Sequence, residues 1–407
     1  YHTVVTGRFD IKQWEEAAQK IVDAQPLMRC SIIGSDLPYS DVGYHKIAKQ
    51  KTISIDYIDI SGEQTSDEKA GDIAEAFIWR PYSIALDELT EYCVYKLNAD
   101  RHLLVFRMNH LIADGVSMVL HGMQNVSGME AIAEDRVPPS IPPMFEKHVS
   151  SNSKAVDTPE VLAYWKEKGQ TLEALDFAIP PQAIDENATP ERVEKRLRVS
   201  DEHWAEVQKY CSELKIHPSL YFKAIYILLI NTYCRGESDF YISEVLSGRR
   251  GFHKMTFGNY FQIMPMVIPH DLFVNSADIK ELFEHIKGYK KSIKGVENIS
   301  LLAQRQLLPQ GRFAFMFNYY NFIPQVVLFG EKITVKGYPQ VQNGPIQFVA
   351  HEQDGYMDLV LIYLSNHFAD LGFLERFEKI SQQIIAGNES ISALEYVLPE
   401  EKEKQLQ

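Results

Sequence analysis

Cysteine is scarce in this chain: four among 407 residues, Cys30, Cys93, Cys211 and Cys234, scattered through apolar surroundings. Their spacing excludes a disulfide framework and any C-x-x-C zinc site, so they read as buried thiols. Excess positive charge is absent as well. Forty-one Lys and Arg stand against 55 Asp and Glu, a formal net charge of −14, which argues against nucleic acid or an anionic membrane as the main partner and leaves only a local basic patch to dock an acidic protein. No stretch approaches the roughly 18 consecutive apolar residues of a membrane span, the longest lying near Ile225 to Ile230. The chain opens on Tyr1 without a basic, apolar leader, which predicts a cytoplasmic location. Also missing are a Gly-rich phosphate loop, a G-x-S-x-G elbow, a Ser/His/Asp or Cys/His triad and any His, Asp and Glu set with metal-ligand spacing.

What remains is the composition of a folded, soluble protein, 45% apolar and 24% charged. A length of 407 residues exceeds one ordinary core and predicts two domains of about 150 to 230 residues. Residues 1–6 read as a strand, and 10–24 as a helix in which Ile11, Trp14, Ala18 and Ile21 recur at helical spacing before Pro26 stops it. Residues 28–33 read as a second strand, and 92–110 as a hairpin turning at Asn98, Ala99 and Asp100. After Gly115 a helical segment carries Met118, Val119 and Met123. The proline-rich run 137–143 and the polar run 150–154 mark a boundary. Beyond it come helices at 201–214 and 219–233, strands at 240–245, 313–319, 348–351 and 357–364, and an amphipathic helix through Phe373, Phe377, Ile380 and Ile384 that closes at Gly387. Mixed strands and helices in both halves imply two α/β units.

The stretch 107–117, RMNHLIADGVS, carries the chemistry. An alternating strand ends in His110 and the chain then turns through Asp114 and Gly115, which places an imidazole at the rim of a sheet rather than in its core. Imidazole, with an ordinary pKa of about 6.5, suits proton transfer near neutral pH. A solitary histidine is usually a structural group, and so short a match does not by itself separate the two roles.

Further elements follow one another along the chain. Asn109-His110-Leu-Ile-Ala-Asp114-Gly115 is preceded by Pro26-Leu-Met-Arg29 and Pro81-Tyr-Ser-Ile84. It is followed by Tyr164-Trp165, by Ser247-Gly248-Arg249, and by Phe257-Gly258-Asn259-Tyr260-Phe261 with Met264-Pro265. Met316-Phe-Asn318-Tyr319 and Leu398-Pro-Glu-Glu401 complete the series. In this order they resemble the H-H-x-x-x-D-G signature, the P-x-L-R and P-F-D-L segments, the Tyr-Trp pair, the S-G-R and G-x-F-x-N-x-x-P block, the late F-N-Y strand and the exit toward an adenylation domain of nonribosomal peptide synthetase condensation domains. Those domains are members of the chloramphenicol-acetyltransferase-like superfamily of thioester-dependent acyltransferases. Three departures stand out: Asn109 replaces the first histidine of the signature, the glycine block reads F-G-N-Y-F-Q-I-M-P, and by the resemblance Tyr1 would already correspond to the family's first long strand, which would leave this chain without the short acceptor-side segment expected before it.

The resemblance implies an α/β fold of α+β sandwich type: two chloramphenicol-acetyltransferase-like domains, 1–160 with the H-x-x-x-D-G motif and 161–407, in a V-shaped pseudo-dimer with an active-site tunnel between them. It implies acyl transfer from a phosphopantetheine thioester on a carrier protein to an amine or hydroxyl, without a permanently bound cofactor or metal. Acyl or peptidyl carrier proteins and adjoining adenylation domains would be partners. A free-standing acyltransferase using coenzyme A or a carrier donor, and a non-catalytic condensation-like docking domain, are the alternatives. Such chemistry needs a group that takes or directs a proton, a stabilised oxyanion and a water-poor channel. His110 would be the base or would orient the attacking nitrogen, and backbone N–H groups beside Gly115 would face the oxyanion. By the same resemblance Asp114 is structural and pairs with Arg29, Asn109 shapes the turn, and Ser247, Asn318 and Tyr319 line the tunnel, with Tyr320 as a further substrate-facing candidate. His102, His121 and His351 read as surface or satisfied core groups.

Overall fold

Alternation along two strands builds the sheet that presents the motif. The computed structural model describes residues 1–33, 44–63, 65–81, 83, 88–152, 155–175, 189, 191–234, 238–249, 251–274, 277–309, 314–321, 326–328, 331–333, 345–353, 355–366, 368 and 372–398. The first elements are β1 (His2–Thr6), α1 (Ile11–Ala24), β2 (Cys30–Ile33), β3 (Tyr44–Ile47), β4 (Ile55–Asp59), α2 (Asp67–Ile78), β5 (Thr90–Lys96), β6 (Arg101–Met108), α3 (Gly115–Ala133) and α4 (Phe145–Asn152). Next come α5 (Pro159–Thr171), β7 (Arg192–Val199), α6 (Asp201–Glu213), α7 (Pro218–Cys234), β8 (Phe240–Leu246), β9 (Gln262–Ile268), α8 (Ile279–Ser292) and α9 (Leu301–Leu307). The last are β10 (Ala314–Tyr320), β11 (Val326–Leu328), β12 (Glu331–Ile333), β13 (Pro345–Glu352), β14 (Met357–Leu364) and α10 (Phe373–Ile385). Among the described residues no helix is long and apolar enough to cross a membrane.

The chain divides into two units, Tyr1–Asn152 with Ser247–Phe261 and Pro324–Pro339, and Ser153–Leu246 with Gln262–Ile323 and Gln340–Gln407. The expected single cut after residue 160 thus becomes a discontinuous division, in which two stretches from the later half of the chain join the first unit. One of them, 247–261, connects the antiparallel strands β8 and β9.

In the first unit the sheet runs β1-β6-β5-β4, with β4 parallel to β5 and the other neighbours antiparallel. On β6, Leu103 and Val105 pack with Ala70, Ala74 and Phe77 of α2, while Leu104 joins Trp14, Ala17 and Met129 of α1 and α3 on the other face. This is the period-two alternation of a sheet covered on both sides. Helix α1 begins where Asp10 Oδ1 accepts from Lys12 N and Gln13 N. It lies close against α3, since a Cβ on Gly128 would stand 3.1 Å from Ala17 Cβ. The expected strand 28–33 starts later, because Pro26–Arg29 form a 3-10 turn before β2; proline with its fixed φ favours such a helical first turn.

The second unit holds a six-stranded sheet, β7-β14-β13-β10-β8-β9, in which β10 runs parallel to both β13 and β8. Phe317, Phe348, Leu359 and Leu361 pack against Phe222, Tyr226, Phe373 and Phe377 of α7 and α10. Helix α7 is buried from Leu220 to Ile230, which explains a sequence apolar on every side. Trp165 of α5 is fully buried and donates from Nε1 to Val296 O at 2.7 Å. Cys30, Cys93 and Cys211 are buried and Cys234 is half-buried. Burial pushes the Cys30 thiol up to about 11 and Cys211 up to about 12. Of the residues singled out from sequence, Tyr82, Ile84, Ser153, Lys154, Phe313 and 399–401 lie outside the described residues.

Candidate active site

The β5–β6 hairpin sets the register that delivers the motif. Met108 pairs with Thr90, and Asn109 N continues the ladder by donating to Leu89 O at 2.8 Å. His110 is the next residue, just beyond the strand. Asn109 shapes the turn that follows, its Oδ1 accepting from Leu111 N at 2.9 Å and its carbonyl from Ile112 N at 3.2 Å, the local bonding for which asparagine is favoured in turns. The His110 ring is half-buried. Its Nδ1 is buried and has no hydrogen-bond partner among the described residues.

Asp114 caps α3, and its charge is fully engaged. Oδ1 accepts from Ser117 N at 2.9 Å and Arg249 Nη2 at 2.6 Å, and Oδ2 from Arg249 Nε at 2.9 Å and Tyr260 N at 3.1 Å. Side-chain exposure is 3% for Arg249 and 6% for Asp114, so this is a buried, bidentate, charge-assisted pair. Arg249 also donates to the carbonyls of His253, Thr256 and Gly258, at 2.8, 2.6 and 3.1 Å, and stacks over Tyr260. Ser117 Oγ accepts from Gly258 N at 3.0 Å and stands 2.6 Å from Gly258 O. Gly258 has φ +150°, and a Cβ there would collide with the Phe145 ring, so the segment passes where only glycine fits.

The expected Asp114–Arg29 pair is therefore corrected: the partner is Arg249. Arg29 sits at the end of the 3-10 turn, where its guanidinium reaches the carbonyls of Val22, Asp23 and Ala48. It neutralises the C-terminal end of α1 instead, where a cation is favoured. The Ser247-Gly-Arg249 element was visible in the sequence, yet nothing local told which aspartate, 135 residues away, its arginine would meet.

Gly115 opens α3 and is exposed, and a Cβ there would meet nothing within 4 Å. Asp114 occupies the amide of Ser117 through its side chain and that of Met118 through its carbonyl, at 3.1 Å, so the amides of Gly115 and Val116 are the first-turn donors left to the open end of the helix. Ser247 is exposed on the segment that carries Arg249.

Asn318 and Tyr319 belong to the second unit, on β10. Tyr319 packs toward that unit's core and donates from its hydroxyl to Glu352 Oε2 at 2.8 Å. Asn318, by strand alternation, lies on the opposite face with Met316 and Tyr320, and Tyr320 is exposed. The remaining histidines lie elsewhere. His102 sits beside Tyr57 and Phe9, and His351 is half-buried on β13. His121 is fully buried, stacked on Phe106 and bonded by the hydroxyls of Tyr1 and Tyr92, each at 2.9 Å; desolvation drives its pKa down to about 3, so the ring is neutral.

A Ser–His–acid array does exist, though not as a reactive site. His203 Nε2 lies 2.8 Å from Ser381 Oγ and its Nδ1 3.5 Å from Glu206 Oε2. Ser381 is only 2% exposed, among Phe377, Ile380 and Ile384 of α10, and Tyr221 OH also bonds it. A hydroxyl so enclosed meets no substrate, and the array is a satisfied polar network in a core.

The profile of the family described as "Condensation domain" matches residues 2–406, and the chain belongs to that family. It is 24% identical over 306 residues to bacitracin synthase 1 of Bacillus licheniformis, covering 73% of this chain and 5% of that protein. Against tyrocidine synthase 2 of Brevibacillus parabrevis it is 27% identical over 119 residues, 29% of this chain and 3% of that one. The chain thus spans a small fraction of the curated relatives it matches. Among solved structures it resembles the X-domain from teicoplanin biosynthesis, with TM-score 0.76 at 14% identity, covering 98% of this chain and 92% of that chain. It is as similar to the first condensation domain of the calcium-dependent antibiotic synthetase in complex with a substrate analogue, with TM-score 0.76 at 13% identity and coverage of 98% and 93%.

Proposed function

We propose that this chain transfers an acyl group from a phosphopantetheine thioester on a carrier protein to an amine or hydroxyl acceptor, forming an amide or ester bond in nonribosomal peptide or hybrid polyketide assembly. The observation that carries the reading is His110, presented just beyond the end of β6 with its ring half-buried, next to a helix that begins at an unobstructed glycine. In this mechanism Nε2 takes the proton of the attacking group, or orients its nitrogen, as that group adds to the thioester carbonyl. The amides of Gly115 and Val116 stabilise the oxyanion that forms, and the thiolate then leaves. Asp114 takes no proton, because its lone pairs are committed to Arg249, Ser117 and Tyr260. Asn109 is at home as a turn residue, so loss of the first signature histidine does not by itself argue for an inert docking domain. Carrier proteins and adjoining adenylation domains are the partners this reading requires, and a cytoplasmic location agrees with it.

The test uses an acyl group loaded on a carrier protein and an aminoacyl N-acetylcysteamine thioester as acceptor. His110→Ala should lower kcat by about two to four orders of magnitude in a folded protein. The carrier-bound donor should exceed the same acyl group on coenzyme A in kcat/KM, since remote binding energy positions the carbonyl. Near wild-type turnover by His110→Ala would sink the assignment. Equal use of coenzyme A would favour a free-standing acyltransferase, and no turnover with any thioester a docking domain.

A further inference from the structure

In acyl-transfer sites the base is usually aimed by a group bonded to its second nitrogen. Among the described residues no group bonds the buried His110 Nδ1. Two described contacts reach this residue instead through its backbone and its ring. Asn259 Nδ2 donates to His110 O at 2.6 Å, and Phe261 stands edge-on to the imidazole with ring centroids 4.6 Å apart. The amide orientation is fixed by chemistry, since the flipped form would set Oδ1 against a carbonyl oxygen.

The residues on either side hold Asn259 in place. Gly258 bonds Ser117 Oγ through both N–H and C=O, and Tyr260 N donates to Asp114 Oδ2. Consecutive residues 258 to 261 thus grip the first turn of α3 and the strand-tip residue in alternation. In the G-x-F-x-N-x-x-P pattern Asn259 falls on an open position, so the family resemblance assigns it nothing.

We propose that Asn259 is a positioning residue for His110, anchoring the carbonyl of the strand-tip peptide so that the imidazole points Nε2 outward. The proposal rests on the acyl-transfer reading for its kinetic consequence and not for its structural one. Both are tested in the intact chain with Asn259→Leu, which removes the donor, and Asn259→Asp, which keeps the shape and turns an acceptor toward the carbonyl.

The structural readout is carbethoxylation of His110 by diethyl pyrocarbonate, followed by peptide mass spectrometry against the exposed His217 as internal reference. Loss of one anchoring hydrogen bond should raise the relative rate at His110 about fivefold or more. The kinetic readout, with the carrier-bound donor and amine acceptor above, should show kcat lowered about 10- to 100-fold with KM for each substrate held within about twofold. Unchanged His110 reactivity in variants that melt like the wild type overturns the proposal, as does loss of folded protein in both variants. Should the wild type turn over no thioester, the acyl-transfer reading fails while the reactivity ratio still decides the role of Asn259.

Discussion

Two buried ion pairs, one in each unit, are made of similar charges and meet different fates. Asp114 and Arg249 lie among donors and acceptors that satisfy them both. Lys223 of α7 pairs with Glu244 Oε1 on β8, but the buried Glu244 Oε2 has no partner among the described residues, and a further cation, Lys290, is 4.0 Å from Oε1. Burial pulls the Lys223 pKa down despite the carboxylate beside it. A buried charge repays its desolvation only when hydrogen bonds complete the pair. The first pair therefore works as an anchor, fixing the turn below His110 and the segment that carries Asn259, while the second is a tolerated charge in an apolar core.

The comparison breaks most clearly if each anchor is cut. Asp114→Ala and Arg249→Ala should each cost about 3 to 5 kcal/mol in denaturant unfolding, and the double variant should cost little more than either, because both remove one interaction. Losses that simply add would show that the two groups are not partners. Replacing whole pairs sharpens the contrast. Lys223→Met with Glu244→Leu should be neutral or stabilising by about 1 to 4 kcal/mol. Asp114→Leu with Arg249→Met should stay destabilised, since the carbonyls of His253, Thr256 and Gly258 lose their donor. Equal behaviour of the two doubles would erase the distinction.

Acid probes the first unit through His121. Its pKa falls from 6.5 to about 3 on burial, so between those values the unfolded chain holds a proton that the folded one refuses. Stability is present in full above pH 6.5 and should fall as pH drops below it, with a slope approaching 1.4 kcal/mol per pH unit, about that of one proton. Unfolding at pH 7 and pH 5 measures the slope, and a His121→Gln protein with the wild-type slope would refute its origin. The smallest effect concerns Arg29. Its carbonyl bonds should be worth about 1 to 2 kcal/mol, and Arg29→Ala should add fully to Asp114→Ala. A coupled loss would restore the pairing expected from sequence.

What could be read from the sequence alone was local. The helical spacing of α1, the Asn98-Ala99-Asp100 turn, the apolar run of α7 and the left-handed Gly387 that closes α10, with φ +94°, each act within a few residues of where they stand. They located the strand tip and His110, and Asn109, Asp114 and Gly115 with it. Strand β7, RVEKRLRV, escaped because an edge strand rich in charge shows no clear apolar alternation. Strands β3 and β4 are likewise short and mostly exposed. Only the tertiary structure decided which arginine meets Asp114, that 247–261 and 324–339 join the first unit, and that Asn259 holds the peptide of His110. Capping and alternation are fixed by neighbours in the chain, whereas partners separated by 135 or 149 residues are chosen by packing, which no short window of sequence contains.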